Sequence, residues 1–310
     1  MTQHPDLVSV LMPAFKPEHF KPALESVVNQ THTNLEILVG DNSGDPAIQA
    51  VIDEVGDPRV TRIPNHAVSG KSPRLNHMIL WLRAKGRYAR FVYDDDLVYE
   101  RSTEVLLHQL KTVPRCVLAW HQRDVIDEHG ALRWRHGVLP EDGSAVLDRR
   151  LLLDNMAKFL NFVGEPSFTM FDREAIAHFD FNRYARFDMA FLWDIAMYLG
   201  IAENGLAAGV GEFLGGFRLH SGQVSSAANV FGAVEWELVF REELCNGNLN
   251  DEQFNTVLPK ILGLYQASKG ELPVLEGFQS RLAVDAHTGR LRETMPQFRD
   301  AYRSLLAARH

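Results

Sequence analysis

Cysteine is scarce: Cys116 and Cys245 are the two in 310 residues, far apart, and neither belongs to a CxxC or Cys/His spacing. That excludes a disulfide framework and a cysteine-based zinc site, and both read as reduced core residues. Long apolar runs are missing as well. None reaches the ~20 residues that cross a bilayer, and the opening MTQHPDLVSV lacks the basic stretch and apolar core of a secretory signal. The expectation is a cytoplasmic protein with at most peripheral membrane association. Positive charge is in deficit, with 32 Lys and Arg against 40 Asp and Glu and a net charge of -8, which argues against nucleic acid as a partner. Internal repeats and low-complexity linkers are absent too. What is present is a chain with 45% hydrophobic residues, long enough to bury a full core in one large domain or in one domain with an appendage.

LVSVLMP (7–13) is a short apolar run ended by Pro13, and Phe20, Leu24, Val27 and Val28 follow at helical spacing. The pattern recurs with LEILVG (35–40) before 46–55, VTRIP (60–64) before 73–85, and YARFVY (88–93) before 101–111. Strands alternating with helices imply an open α/β sheet with helices on both faces, whose ligands bind beyond the carboxyl ends of the strands. Asp41 and the run Asp94, Asp95 and Asp96 fall at such ends and are expected to face one crevice. After about residue 115 the regularity loosens into a strand at CVLAWHQ, a turn at 128–130 and a helix near 148–160. PSFTMF (166–171), a helix around 191–198 and a strand ending FRLHSG (217–222) come next. Beyond residue 226 the pattern is helical, with Met295, Phe298, Tyr302 and Leu305 on one stripe.

FVYDDDLVYE (91–100) sets three carboxylates side by side after a buried strand, where their repulsion destabilises the fold unless something positive compensates it. A divalent cation does so, and an ion held by one or two carboxylates keeps sites open for substrate phosphates. The alternative is an acidic helix start, since aspartate caps helices and Glu104 lies near the next helix's first turn. SGKS (69–72) looks like the tail of a phosphate-binding loop. However, Asn65 stands where that loop needs glycine and Pro73 removes a donor, so it reads as a turn into a helix. Lys71 and Arg74 keep the reach of side chains to a phosphate.

In their order and spacing, VSVLMPAF, SVVNQTHTNLEILVGDNSGD, NHAVSGKSPRLNHMI and FVYDDDLVY resemble the family 2 glycosyltransferases. GEPSFTMF, FLWDIAMYL and FLGGFRLHSGQVS resemble that family's acceptor-side half, and the resemblance covers about residues 7 to 225. It implies a GT-A fold, an α/β Rossmann-like open mixed sheet flanked by helices. The glycosyltransferase domain would span 1–225, with a nucleotide-binding half to about 115 and an acceptor half from about 116, followed by a helical C-terminal extension over 226–310. The implied activity is inverting, metal-dependent transfer of one sugar from a nucleotide-diphosphate donor, a UDP- or dTDP-sugar, to a hydroxyl of a glycan or lipid-linked acceptor.

By the same resemblance Pro13, Phe15 and Asp41 line the nucleotide pocket, with Asp41 accepting the imide proton of the base, and Arg74 and Asn76 contact the diphosphate or sugar. The aspartate run matches a DxD-like metal motif in which Tyr93 replaces the usual opening Asp or Asn. Asp94 or Asp95 then touches the ribose or donor sugar, while Asp96 and His220 hold Mn2+ or Mg2+. Asp194 matches the family's catalytic aspartate, with Asp188 as the alternative base and Glu165 behind it. The QxxRW motif of processive synthases is absent, which points to single-residue addition. The C-terminal helices complete a core or form a homodimer contact. Two rival readings remain: a nucleotidyltransferase, although PAFKPEHF lacks that class's glycine-rich loop, and a non-catalytic sugar-nucleotide or glycan-binding module, which Tyr93 favours.

Overall fold

The computed structural model describes residues 6–69, 72–176, 183–222, 224–268 and 274–308. The expected alternation is realised in β1 (Val8–Ala14), α1 (Phe20–Val28), β2 (Leu35–Asp41), α2 (Pro46–Val55), β3 (Val60–Pro64), the short α3 (His66–Ser69), α4 (Pro73–Arg83) and β4 (Tyr88–Phe91). There follow β5 (Leu97–Val98), α5 (Ser102–Thr112), β6 (Cys116–Ile126), β7 (Leu132–His136), β8 (Ser144–Leu147), α6 (Arg149–Phe159) and β9 (Thr169–Asp172). The rest comprises β10 (Arg183–Tyr184), β11 (Phe187–Asp188), α7 (Trp193–Ile201), β12 (Leu206–Arg218), α8 (Val224–Cys245), α9 (Asp251–Ala267), α10 (Val274–His287) and α11 (Met295–Ala307). Among the described residues no helix is long and apolar enough to cross a membrane.

The chain forms two compact units. The first, Met1–Arg149 with Phe162–Phe179 and Ile201–His220, holds the large sheet in the order β3-β2-β1-β4-β9-β6-β12-β5, with β7 on β6 and β8 on β12. β1 runs parallel to β2 and β4, while β9 runs antiparallel to β4 and β6. All seven residues of β1 are buried, as expected of a strand covered on both faces. Phe20, Ala23, Leu24 and Val27 of α1 lie in the same core, each large side chain contributing about 2 kcal/mol.

Local signals set the helix limits. Asp45 accepts from the Ala47 N–H at 2.8 Å at the start of α2, Pro46 occupies its first turn, and Gly56 ends it at φ 62°, a conformation that glycine adopts without strain. SGKSP encodes an ordinary helix start: the Ser72 hydroxyl accepts from the Leu75 N–H at 3.4 Å, and Pro73 takes the first helical position. One expectation changes. The strand read over 88–93 stops at Phe91 because the Tyr93 N–H turns to the Ser167 hydroxyl at 3.1 Å. PSFTMF forms a 3₁₀ turn, Pro166–Phe168, and then β9.

The second unit gathers Arg150–Asn161, Asp180–Gly200 and Ser221–His310. Its α8 buries Glu235, Glu237, Arg241, Glu242 and Glu243, so the helix has no simple polar face. These charges are compensated locally. Arg241 lies 2.7 Å from Glu237 and 3.0 Å from Asp285, Arg299 pairs with Glu242 at 2.6 Å, and Asn248 donates to Glu243 at 2.8 Å.

Candidate active site

β1 and β2 end in register at Ala14 and Asp41, and β4 ends at Phe91 opposite Leu11. The aspartate run therefore emerges beside the residues that follow β1. Asp94 accepts the backbone N–H groups of Phe15 at 2.7 Å and Lys16 at 2.9 Å. Burial and the Asp95 charge nevertheless push its carboxyl up to about 6. Asp41 is 1% exposed. Its Oδ1 accepts the Ser43 N–H at 3.0 Å and hydroxyl at 2.6 Å, and its Oδ2 accepts Arg62 Nε at 2.9 Å and Nη2 at 2.5 Å. Burial alone would raise the Asp41 carboxyl, but the Ser43 and Arg62 bonds hold it below the ordinary carboxylate range.

Asn76 joins this sheet edge from α4, donating to the Gly40 carbonyl at 2.8 Å and accepting from Asn65 Nδ2 at 2.6 Å. Glycine is required at position 40, because a Cβ there would lie 2.2 Å from Asn76 Oδ1. Pro13 is buried within β1, Phe15 is 38% exposed, and Arg74 is half-buried in the first turn of α4. Lys71 lies outside the described residues.

The three aspartates have different surroundings. Asp96 is 1% exposed, and its oxygens accept the Ser167 hydroxyl at 2.6 Å and the Arg218 N–H at 3.2 Å. Burial and the Asp95 charge hold its carboxyl well above the usual range. Asp95 has a 27% exposed side chain whose Oδ2 lies 3.1 Å from His220 Nε2, and its carbonyl accepts Arg218 Nε at 2.8 Å. The metal-ligand role read for Asp96 from sequence thus meets a buried, engaged carboxylate, while the pair with the accessible carboxylate is Asp95 and His220. Tyr93, at the head of the motif, has its hydroxyl 3.3 Å from Nε2 of the buried His77.

A buried network behind the motif carries no signal in the sequence. Arg90 donates to the Ser167 carbonyl at 2.6 Å, to the Ser102 hydroxyl at 2.9 Å and to the Thr103 hydroxyl at 3.0 Å. Burial lowers its pKa to about 9. His121 Nε2 lies 2.7 Å from the Ser102 hydroxyl, and its Nδ1 lies 2.8 Å from the Gln122 carbonyl. Nδ1–H therefore donates to the carbonyl and Nε2 accepts from Ser102, which is the neutral imidazole. Burial, with Arg90 adding to it, pulls His121 down to about 3. With the folded pKa below the ordinary 6.5, this histidine's contribution to stability is present above pH 6.5 and is lost as pH falls toward 3. The destabilisation caused by His121→Gln, measured by urea unfolding, is expected to shrink by about 2 kcal/mol between pH 7 and pH 5. A pH-independent difference would contradict the neutral assignment.

In the second unit Asp194 stands in the first turn of α7, accepting Asn161 Nδ2 at 3.1 Å and the Ile195 N–H at 2.9 Å. Asp188 is exposed at the end of β11, 3.9 Å from Arg183. Glu165, in the first unit, pairs with Arg123 Nε at 2.6 Å.

The model of Glycosyl transferase family 2 matches residues 9–179, more than half of the chain. The chain belongs to this family. Two curated relatives from Escherichia coli, the UDP-Glc:alpha-D-GlcNAc-diphosphoundecaprenol beta-1,3-glucosyltransferases WfgD and WfaP, are each 28% identical, over 105 and 108 residues. Each match covers 34% of this chain and about two-fifths of the relative's length (41% and 42%). S. aureus TarS 1–349 superposes with a TM-score of 0.56 at 14% identity, covering 96% of this chain and 91% of that one. The mannosyltransferase PcManGT from Pyrobaculum calidifontis, in complex with GDP-Man and Mn2+, gives 0.55 at 14% identity, covering 100% and 89%. The mixed sheet flanked by helices is the GT-A fold, followed by helices α8 to α11.

For this family 2 member, the fit of a metal rests on the donor set. Among the described residues no group of three or more His, Cys, Asp or Glu converges on one point, and Asp95 Oδ2 and His220 Nε2 lie 3.1 Å apart. One carboxylate and one imidazole suit a divalent ion that completes its shell with water and phosphate oxygens. The nitrogen donor favours manganese over the oxygen-loving magnesium. The residues present fit such an ion.

Proposed function

We propose that this protein moves a single sugar from a UDP- or dTDP-sugar to a hydroxyl of a lipid-diphosphate-linked saccharide, with inversion at the anomeric carbon. The observation that carries the reading is the Asp95–His220 pair, 3.1 Å apart at the sheet edge that also bears Phe15 and Asp41. The names of the curated relatives, which specify a UDP-glucose donor and a GlcNAc-diphosphoundecaprenol acceptor, support the donor and acceptor classes.

In this reading Asp95 and His220 would hold a divalent cation, which when bound would supply positive charge to the diphosphate leaving group. Asp96, engaged by Ser167 and Arg218, keeps the backbone of the run in place, and Arg218 also binds the Asp95 carbonyl. The four acceptor positions of Asp41 are engaged by Ser43 and Arg62, so a base imide reaches it by displacing the Arg62 contact. Arg74 supplies charge to the phosphates. Asp194 takes the proton from the acceptor hydroxyl, the hydroxyl oxygen bonds to the anomeric carbon, and the bond to the diphosphate oxygen breaks. One such displacement inverts the centre.

The full chain with Mn2+ is to be offered UDP-, dTDP- and GDP-sugars together with a GlcNAc-diphosphate lipid, with nucleoside diphosphate release and product mass as readouts. Acceptor-dependent release of UDP or dTDP, with one added sugar, is expected. Supplied instead with a nucleoside triphosphate and a sugar 1-phosphate, a nucleotidyltransferase would form a nucleotide sugar and release inorganic pyrophosphate, and a bound donor that never turns over would identify a binding module.

A further inference from the structure

Glu235, on α8, is 0% exposed, and its carboxylate accepts three consecutive backbone N–H groups: Ala190 at 2.5 Å, Phe191 at 3.0 Å and Leu192 at 2.6 Å. Tyr302 of α11 adds its hydroxyl at 2.7 Å. That hydroxyl is also 3.2 Å from the Asp188 carbonyl, but its single proton goes to the nearer, charged acceptor. Residues 190–192 lead into α7, and the Leu192 carbonyl accepts the Ala196 N–H at 3.1 Å, so Leu192 is the residue at which the helix starts.

A leucine has no side-chain acceptor for a helix start. Glu235 supplies an anion to this entry from a helix more than forty residues away in sequence. Burying a carboxylate is costly unless it is fully hydrogen-bonded, and a core position needing only volume is filled more favourably by leucine or methionine. Burial pushes the Glu235 carboxyl up, and the Leu192, Tyr302, Ala190 and Phe191 donors oppose that. All of these donors fall on one object, the three residues ahead of α7 and the tyrosine behind them. Two residues into α7 is Asp194, whose rotamer is held by Asn161 and the Ile195 N–H. Those bonds orient the side chain, whereas Glu235 fixes the backbone that carries it.

We propose that Glu235, backed by Tyr302, is the positioning residue for the Asp194 carboxylate, so that the C-terminal helices set the geometry of proton removal from the acceptor. The proposal rests on Asp194 being the base. Misplacing a catalytic group by about 1 Å can cost about a hundredfold in rate. Glu235→Gln keeps the volume but turns an NH2 toward a backbone donor, and it is expected to lower kcat about a hundredfold. Tyr302→Phe removes one hydroxyl and is expected to lower kcat about fivefold, as one of four donors to the same group. UDP affinity in the presence of Mn2+, read by calorimetry, should match the parent in both variants.

The decisive readout is the double variant Asp194→Asn with Glu235→Gln. If Glu235 acts through Asp194, the double variant turns over no more slowly than Asp194→Asn alone. A further hundredfold loss in the double variant would show a general structural role and overturn the proposal, as would unchanged kcat in Glu235→Gln and Tyr302→Phe while Asp194→Asn is impaired. Normal turnover in Asp194→Asn itself would instead overturn the assignment of the base. Should Glu235→Gln fail to fold, Tyr302→Phe alone and combined with Asp194→Asn gives the same comparison.

Discussion

Asp194→Asn is expected to lower turnover by about two to four orders of magnitude, the usual contribution of a positioned general base, while leaving UDP affinity unchanged. Asparagine keeps the size of the side chain and can still accept the Ile195 N–H through its oxygen. Its amide nitrogen then faces Asn161 Nδ2, a donor against a donor, where the carboxylate presents an acceptor at 3.1 Å. What is lost outright is the capacity to take a proton. Asp188→Asn is expected to cost little by comparison, because Asp188 is an exposed carboxylate 3.9 Å from Arg183. Steady-state kinetics with both variants, and the anomeric proton coupling of the product, test this together. Near-normal turnover in Asp194→Asn, or a product with retained configuration, would move the base elsewhere. Glu165 would be a poor replacement, since Arg123 Nε lies 2.6 Å from its carboxylate.

The sheet edge was legible because LVSVLMP and LEILVG are short, largely apolar runs. VTRIP becomes β3 at its own limits, and the runs at 7–13 and 35–40 become β1 and β2 within a residue or so at each end. Buried parallel strands need no alternation, so the run alone marks them. β7 was missed for the opposite reason: all five residues of LRWRH are exposed, so no buried face imprinted a period on them. Pairing partners from distant sequence were also hidden. Ser167 and Arg218, which engage Asp96, lie 71 and 122 residues from it. In EWELVFREEL nothing local indicates that Tyr265, Arg241, Arg299 and the entry to α7 receive the acids. No local pattern reports that residues 150–161 and 180–200 fold with residues 221–310.

The same limit applies inside the aspartate run, where three identical side chains leave sequence unable to say which one meets solvent. The structure distinguishes them by their partners, and this yields an expected division between two variants. Asp95→Ala should lose at least about a hundredfold in Mn2+-dependent UDP affinity, because even groups that only orient a metal ligand cost ten- to a hundredfold when removed. With EDTA, the parent and Asp95→Ala should bind UDP equally weakly, since the contact at issue runs through the ion. Asp96→Asn should behave differently. Its Oδ1 can still accept the Arg218 N–H, but its amide nitrogen then faces the Ser167 oxygen, which already accepts the Tyr93 N–H and whose own proton loses its acceptor. One buried hydroxyl left without an acceptor costs about 1–3 kcal/mol, so urea unfolding should show a less stable protein that nevertheless tightens on UDP when Mn2+ is added. Calorimetry with UDP in Mn2+ and in EDTA, run on both variants, separates the roles. Were Asp96→Asn to lose the Mn2+ response while Asp95→Ala kept it, the ion would belong to Asp96, and the hydrogen bonds from Ser167 and Arg218 would have to yield when it binds.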